Sequence, residues 1–312
     1  MVPFYNVELY AAQTLVSLKR NAHPDVEFLL VDDGSTDATL DILESSAAAL
    51  PGSTVIACGT NAGLAAARNL GIAAAAGRYL TFLDGDDFVA AGYYPTLLDT
   101  IEHLGCEMVR TDHVQVRGRE RSVHRINHGP RRVVGRPRDA ILPVERVTSV
   151  DAPHAWAGIY ARRLADDGLL YFSEDLRTCE DRPWNWRLHL EVASFAVVGL
   201  LGVYYRRGVP SSLTQVADER QFDFIRAFDQ IVELVHRDRD SAALMPKAVR
   251  SYCAVVLHHL GQLERYPAHL ADQLPGLCRD ALLRLPQQEL RRARATLGPE
   301  RELRLSELMV AA

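Results

Sequence analysis

"RYLTFLDGDDFVAAGYY", residues 78 to 94, decides the fold and poses the first chemical question. β-type residues from Tyr79 to Leu83 run straight into Asp84, Gly85, Asp86 and Asp87. Three carboxylates in four residues repel one another, and left unpaired they lower stability. A cation or ligand that neutralises them would justify the arrangement.

Working outward, the preceding residues repeat the same pattern. Val7 to Arg20 reads as a helix whose apolar face is supplied by Leu9, Ala12, Leu15, Val16 and Leu18. Glu27 to Val31 is a short strand that ends in Asp32 and Asp33. Ser35 and Thr36 stand where a helix N-cap belongs, before a helix over residues 38 to 50. Thr54 to Ala57 is a second strand, and Asn61 opens a helix that runs to Ala75 and closes at Gly77. Short apolar strands separated by helices predict a parallel sheet covered on both faces. In such sheets the ligand site lies beyond the carboxyl ends of the strands. Asp32-Asp33 and the Asp84–Asp87 cluster occupy two of those ends.

Composition narrows the class. The chain has 312 residues, 48% hydrophobic and 24% charged, as expected of a globular protein with a large core. A net charge of −5 disfavours generic nucleic-acid binding. Five cysteines are scattered without a C-x-x-C pair, which argues against a zinc site or disulfide framework and suits a reducing cytoplasm. Residues 1 to 20 show no apolar core behind a basic start, so no signal peptide is expected. The longest apolar run, Val192 to Tyr205, is too short to span a bilayer and reads as a buried strand. The basic stretch "RGRERSVHRINHGPRRVVGRPR", residues 117 to 138, reads as a solvated loop or hairpin in preference to an anion site. From Asp218 onward the chain is helical, punctuated by Pro267, Pro275 and Pro286. This predicts two regions, 1–217 and 218–312.

Two readings fit Asp84-x-Asp86 taken alone: ligands for a hard divalent cation, or Asp-Gly turn chemistry. An EF-hand is excluded, since no further ligands follow at its spacing. The context goes further. "VPFYNVE" (2–8), "LLVDDGSTD" (29–37), "NAGLAAARNLGIAAAAG" (61–77) and "YLTFLDGDD" (79–87) occur in that order. Together they resemble the family 2 glycosyltransferases of GT-A fold, inverting enzymes that use nucleotide-diphosphate sugars. The resemblance runs over residues 2 to 215. It implies an α/β, Rossmann-like, mainly parallel mixed sheet flanked by helices, followed here by a helical C-terminal region.

The resemblance also implies roles. Pro3 and Tyr5 form the floor beneath the base, where an aromatic ring suits stacking on a pyrimidine. Asp33 accepts a hydrogen bond from the base N3–H, which favours uracil. Asp32 is its partner or a structural cap, and Asp37 serves capping. Glu8, Asn61 and Arg68 join the donor contacts, with Arg68 reaching the base and ribose or neutralising the aspartate pair. Asp84 meets ribose or metal, Asp86 ligates Mn²⁺ or Mg²⁺, and Asp87 is structural. "LRTCEDRPWNWRLHL" (176–190) resembles the family's Glu-Asp step. There Asp181 is the general base and Glu180 orients the acceptor or pairs with an arginine, although carboxylates in a helix first turn also offset its dipole.

"HAWAGIYARRL" (154–164) resembles the acceptor-side segment and makes Trp156 an acceptor contact. Gly158 stands where many relatives carry lysine. "VYYRRGVPSSLTQ" (203–215) resembles a loop that closes over the diphosphate, with Arg207 (or Arg206) as a phosphate clamp; an exposed hairpin fits equally. Only Met1 and Val2 precede Pro3, so the expectation is a start lying upstream or a short, poorly anchored first strand.

The predicted activity is metal-dependent transfer from a UDP-sugar to a hydroxyl acceptor: a cell-surface glycan, teichoic-type polymer, lipid-linked sugar or natural product. Lack of membrane-spanning runs and of a "QRRW"-type motif argues against a processive membrane synthase. A sugar-phosphate nucleotidyltransferase would need a glycine-rich phosphate loop within residues 1 to 20, which is absent. A phosphoacceptor receiver would need a lysine after a later strand, and neither Lys19 nor Lys247 is so placed. A non-catalytic nucleotide-sugar or glycan-binding relative is the remaining alternative. The C-terminal helices would then serve core packing, self-association or peripheral membrane contact.

Overall fold

A computed structural model describes residues 1–209, 212, 213 and 215–310. In chain order the N-terminal elements are β1 (Val2–Phe4), α1 (Glu8–Lys19), β2 (Phe28–Asp32), α2 (Thr39–Ala47), β3 (Ser53–Ala57), α3 (Leu64–Ala74) and β4 (Tyr79–Leu80). Next come β5 (Phe88–Val89), α4 (Tyr93–Leu104), β6 (Met108–Thr111), β7 (His113–Arg117), β8 (Glu120–His124) and β9 (Gly158–Ala161). Then follow α5 (Arg163–Asp166), α6 (Asp181–Glu191), β10 (Phe195–Val198) and β11 (Val203–Arg206). The C-terminal helices are α7 (Asp223–His236), α8 (Ser241–Leu260), α9 (Ala268–Leu283), α10 (Gln287–Thr296) and α11 (Pro299–Val310).

β1, β2 and β3 pair in parallel. The five residues of β2 are all buried, which is why the stretch reads as a continuous apolar run rather than an alternation. The first strand is short but held on both edges. Val2, Pro3 and Phe4 pair with Leu30, Val31 and Asp32. On the other side the Leu83 amide donates to the Met1 carbonyl at 3.1 Å. The expected weak anchoring of the first strand is thereby corrected: β1 pairs along its length with β2, and Met1 just before it is held by Leu83 and Thr81.

The sheet is mixed rather than wholly parallel. β9 runs antiparallel to both β4 and β6, and β10 is parallel to β6. This reversal matters for function. An antiparallel β9 brings its start to the edge where β4 and β6 end, so residues 154–158 arrive beside the acidic strand ends. A further sheet, in the order β5-β11-β7-β8, includes the hairpin formed by the basic stretch. The single strand expected over Val192–Tyr205 is two: β10 and β11 lie in different sheets, separated at Gly199–Gly202.

α1 departs from its expected face. Leu9 and Val16 are exposed, while Ala11, Thr14, Leu15, Ser17 and Leu18 are buried. Polar Thr14 and Ser17 face inward because each has backbone to bind there, as described below.

α6 separates two hydrophobic cores. Trp184 and Leu188 pack into the core of the sheet region; Trp186 and Leu190, two residues on in each case, pack among α7–α10. Ile141 and Val150 join that second core. Polar ties reinforce it: Lys247, nearly fully buried, reaches Asp151 at 2.6 Å, and Arg138 reaches Asp238 at 2.7 Å. Two of the expected punctuating prolines, Pro267 and Pro286, are helix N-caps, but Pro275 lies inside α9 and Pro246 inside α8. Each removes one helix hydrogen bond that tertiary packing offsets. No described helix is long and apolar enough to cross a membrane.

Candidate active site

The acidic loop after β4 is built by close approach and by α1. A Cβ at Gly85 would lie 2.6 Å from both Phe4 Cδ1 and the Pro3 carbonyl, so only glycine lets this loop cross β1. Thr14 Oγ1 donates to the Gly85 and Asp87 carbonyls at 3.0 and 2.6 Å, and the Val89 amide donates to Ser17 Oγ. Asp87 is fully buried and accepts the Arg206 amide at 2.7 Å, which makes it part of the framework. Burial, with Asp86 and Asp84 beside it, holds its carboxyl well above the usual range.

Asp86 differs. Its side chain takes no hydrogen bond from any other described residue. Burial and the neighbouring Asp84 push its carboxyl up to about 6. Asp84 spends one oxygen on Arg68 Nη2 at 2.8 Å. Arg68 is 3% exposed and its Nη1 donates to Glu180 Oε1 at 2.6 Å. The guanidinium rests on Phe172, 5.0 Å from the ring centroid. One arginine from α3 thus links the loop after β4 to the entrance of α6.

At that entrance Cys179 has φ 61°, a left-handed conformation that costs a non-glycine residue stability. This kink turns the chain into α6, with Glu180 at its N-cap and Asp181 as its first residue. Burial pushes the Glu180 carboxyl up to about 7 against the pull of Arg68. Asp181 also rises through burial, opposed by Arg182, Arg68 and Arg110. Its carboxylate, like that of Asp86, takes no hydrogen bond from another described residue. A helix N-terminus favours the anionic form there.

The Asp33 corner is complete in itself. Asp33 accepts Asn61 Nδ2 at 2.9 Å, the Gly63 amide at 2.8 Å and the Ala62 amide at 2.9 Å. A carboxylate offers about four acceptor positions, so about one remains. Gly34, at φ 70°, allows the turn: a Cβ there would stand 2.6 Å from the Thr60 carbonyl carbon. Asp32 Oδ2 accepts the Ser35 amide, and Oδ1 is buried without a partner. Tyr5 is 43% exposed at the end of β1, its ring open for stacking.

Other expected residues fall elsewhere. Glu8 Oε2 accepts the Ala38 amide and Asp37 Oδ1 accepts the Thr39 amide, so these two, not Ser35 and Thr36, serve the first turn of α2. Arg206 is bound to the Asp86 carbonyl and to Gln13, a framework role. Arg207 leans on Tyr205, its Nη1 donating to the phenol oxygen at 3.0 Å. Pro210, Ser211 and Thr214, within the expected closing loop, lie outside the described residues. Trp156 is 4% exposed and stacks on His154 at 4.7 Å.

Arg110 was not anticipated. It is 1% exposed and donates to Asn185 Oδ1, on α6, at 2.5 Å, and to the carbonyls of Ala152, His154 and Ala157. A Cβ at Gly158 would lie 3.3 Å from Arg110 Cδ, so arginine on β6 fills the space beside the small residue on β9. An arginine inside an otherwise apolar strand was the available signal.

Among the described residues no group of three or more His, Cys, Asp or Glu could hold a metal ion. Asp84 and Asp86 supply two carboxylates at most. That suits Mg²⁺ or Mn²⁺ completed by substrate phosphate and water, and does not suit a closed protein cage. Asp86, raised and unbonded, is the donor best fitted to it.

Residues 1–160 match the family model for glycosyl transferase family 2, and the chain belongs to that family. "Uncharacterized glycosyltransferase EpsJ" of Bacillus subtilis is 31% identical over 69% of this chain and 62% of its own length. TarS of Staphylococcus aureus, a poly(ribitol-phosphate) beta-N-acetylglucosaminyltransferase, is 28% identical over 78% of this chain and 41% of its own length. The chain therefore matches less than two thirds of the length of these relatives. The crystal structure of S. aureus TarS 1-349 with UDP-GlcNAc shares the fold, with TM-score 0.76 and 20% identity over 95% of this chain and 86% of that one. A more distant likeness is mannosyltransferase PcManGT from Pyrobaculum calidifontis, in complex with GDP-Man and Mn²⁺. Its TM-score is 0.51 and its identity 16%, over 98% of this chain and 77% of that one. The GT-A architecture is thus common to all three.

Proposed function

We propose that this chain transfers a sugar from a UDP-sugar to a hydroxyl acceptor in one in-line step with inversion at the anomeric carbon. The observation that carries this reading is the Asp84–Arg68–Glu180 chain of ion pairs, at 2.8 and 2.6 Å, which ties the acidic loop to the start of α6. It holds an unbonded Asp86 on one element and an unbonded Asp181 on another. TarS, crystallised with UDP-GlcNAc on the same fold, supports the choice of donor class.

Tyr5 stacks on the uracil, and the remaining acceptor position of Asp33 receives its N3–H. Asp84 and Asp86 face the diphosphate. A bound Mn²⁺ or Mg²⁺, held chiefly by Asp86, supplies Lewis-acid stabilisation of the departing diphosphate. Asp181 removes the acceptor hydroxyl proton as that oxygen bonds to the anomeric carbon and the bond to UDP breaks. Arg68 keeps Asp84 and Glu180 in place, and its charge helps hold Asp181 ionised. An α-linked donor yields a β-linked product.

The test is a panel of UDP- and GDP-sugars incubated with the protein and Mn²⁺, with nucleoside diphosphate release as the readout. UDP release from one or a few UDP-sugars is expected. Turnover of GDP-sugars alone would overturn the donor assignment.

A further inference from the structure

One face of the sheet formed by β11, β7 and β8 remains without an assigned task. Alternation along the strands places His113, Gln115 and Arg117 on the same face. The register sets His113 beside His124, Gln115 between Tyr205 and Ser122, and Arg117 beside Glu120. Arg207 follows Tyr205 by two residues and falls on that face as well. At one end Trp156 and His154 pack against the row: His113 meets their rings edge-on at 4.8 and 5.2 Å, and Tyr205 lies 5.1 Å from Trp156. His113 is more than nine-tenths buried, yet its Nε2 has no hydrogen-bond partner among the described residues.

At the other end is an open pocket of about 470 Å³ lined by Gln115, Arg117, Glu120, Arg121, Ser122 and Arg207. Among the described residues none of its three arginines forms an ion pair with a carboxylate, and Glu120 is the only acid in the lining. The sheet continues to the acidic loop: β5 begins directly after Asp87 and pairs with β11, with Val89 beside Val203 on the same face as Tyr205. From His113 to Arg117 the strand spans about 13 Å, enough for more than one sugar unit.

We propose that this face is a track for the acceptor chain, and that its arginine pocket binds an acidic group, phosphate diester or carboxylate, on an acceptor unit remote from the one being glycosylated. The partly exposed His154 and Tyr205 rings, backed by buried Trp156 and His113, together with side-chain amide and hydroxyl groups, suit sugar faces and hydroxyls. Three guanidinium groups that lack a carboxylate partner among the described residues suit an oxyanion, although Arg121 also donates to the Gly118 and Glu120 carbonyls and Arg207 to the Tyr205 phenol. The inference rests on the transferase reading for its direction of travel, but the charged end stands on its own geometry.

The experiment titrates the full chain, with UDP and Mn²⁺ present, with four probes: a glycerol-phosphate oligomer, an oligogalacturonate, maltohexaose, and phosphatidylglycerol vesicles. Binding of one or both anionic oligomers and not of maltohexaose is expected, weakening as salt rises. The exposed-hairpin variant Arg117→Gln/Arg121→Gln should lose at least about tenfold in that affinity, and Arg117→Glu more, since like charge now opposes the ligand. The oligomer that binds identifies phosphate or carboxylate as the group recognised. UDP affinity, measured separately, should be unchanged in both variants. Failure of the wild type to bind UDP would sink the transferase reading without touching this one. Equal binding of maltohexaose, an affinity indifferent to both variants, or binding of vesicles alone would overturn the track.

Discussion

Asp33 and Asp86 both follow apolar strands and both belong to acidic clusters, yet their surroundings are opposite. Asp33 is met by three N–H donors from the loop before α3. Asp86 has none from any other described residue and sits beside Asp84, with its carboxyl pushed up to about 6. The first carboxylate has three of its about four acceptor positions filled by its own protein, which fixes its orientation. The second is left in want of positive charge, which is how a site prepares for a ligand the chain does not supply. Asp181 belongs with the second kind: half-buried, raised, and without a hydrogen bond from another described residue at the start of α6.

The largest effect should come from removing the proposed base. Asp181→Asn should lower transfer by about 10²- to 10⁴-fold while leaving UDP affinity in place. A loss below tenfold would move the base elsewhere. Arg68→Met should come next. It strands Asp84 and Glu180 in low-exposure surroundings and should cost about 3–5 kcal/mol in a denaturant titration. A loss under 1 kcal/mol would show that the ion-pair chain is not structural.

The comparison itself is sharpened by paired variants in metal-free buffer. Asp33→Ala removes the acceptor of three donors and should destabilise by about 1–3 kcal/mol. Asp86→Asn should leave stability unchanged or raise it slightly, because it removes one of two crowded like charges. Equal destabilisation by both would erase the distinction.

pH should report the raised pair on α6. Asp181 must be ionised to accept a proton, so kcat/KM should fall with acidification through an apparent value above the ordinary carboxylate range; a limb within that range would contradict its raised state. The sign for stability is the reverse. Folded values above unfolded ones mean that the native state holds more protons. The contribution of Glu180 and Asp181 to stability therefore declines as pH rises from the ordinary carboxylate range toward about 7, the value of Glu180.

The positions of the acidic strand ends were legible in the sequence, because apolar strands that end in aspartate leave a signature in residue order; the partners of Arg68, which are Asp84 and Glu180 in place of Asp32 and Asp33, were not. Tyr5, Asp33, Asn61, Arg68, Asp84 and Asp86 all lie along the same edge by virtue of β1, β2 and β4 and the helix between. What stayed hidden depends on tertiary contacts. The face of α1 was misjudged because Thr14 and Ser17 are inside for their hydroxyls, which bind the acidic loop and β5. Polar residues at positions 14 and 17, among apolar 11, 15 and 18, were the visible trace. The left-handed Cys179 left no trace that periodicity could separate from a helix turn, whereas the split between β10 and β11 was marked by Gly199 and Gly202 inside the apolar run. Arg110 showed as an arginine inside an apolar strand, but its role was hidden for a different reason: its partners are the Ala152, His154 and Ala157 carbonyls and Asn185, far apart in sequence.

The most direct test of the central claim is calorimetric titration of UDP into the wild type and Asp86→Ala, each with and without Mn²⁺. The account predicts that Mn²⁺ strengthens UDP binding to the wild type and has little effect in the variant. UDP binding that is equally strong in both proteins and indifferent to Mn²⁺ would contradict the assignment of Asp86 as the cation's ligand at the diphosphate.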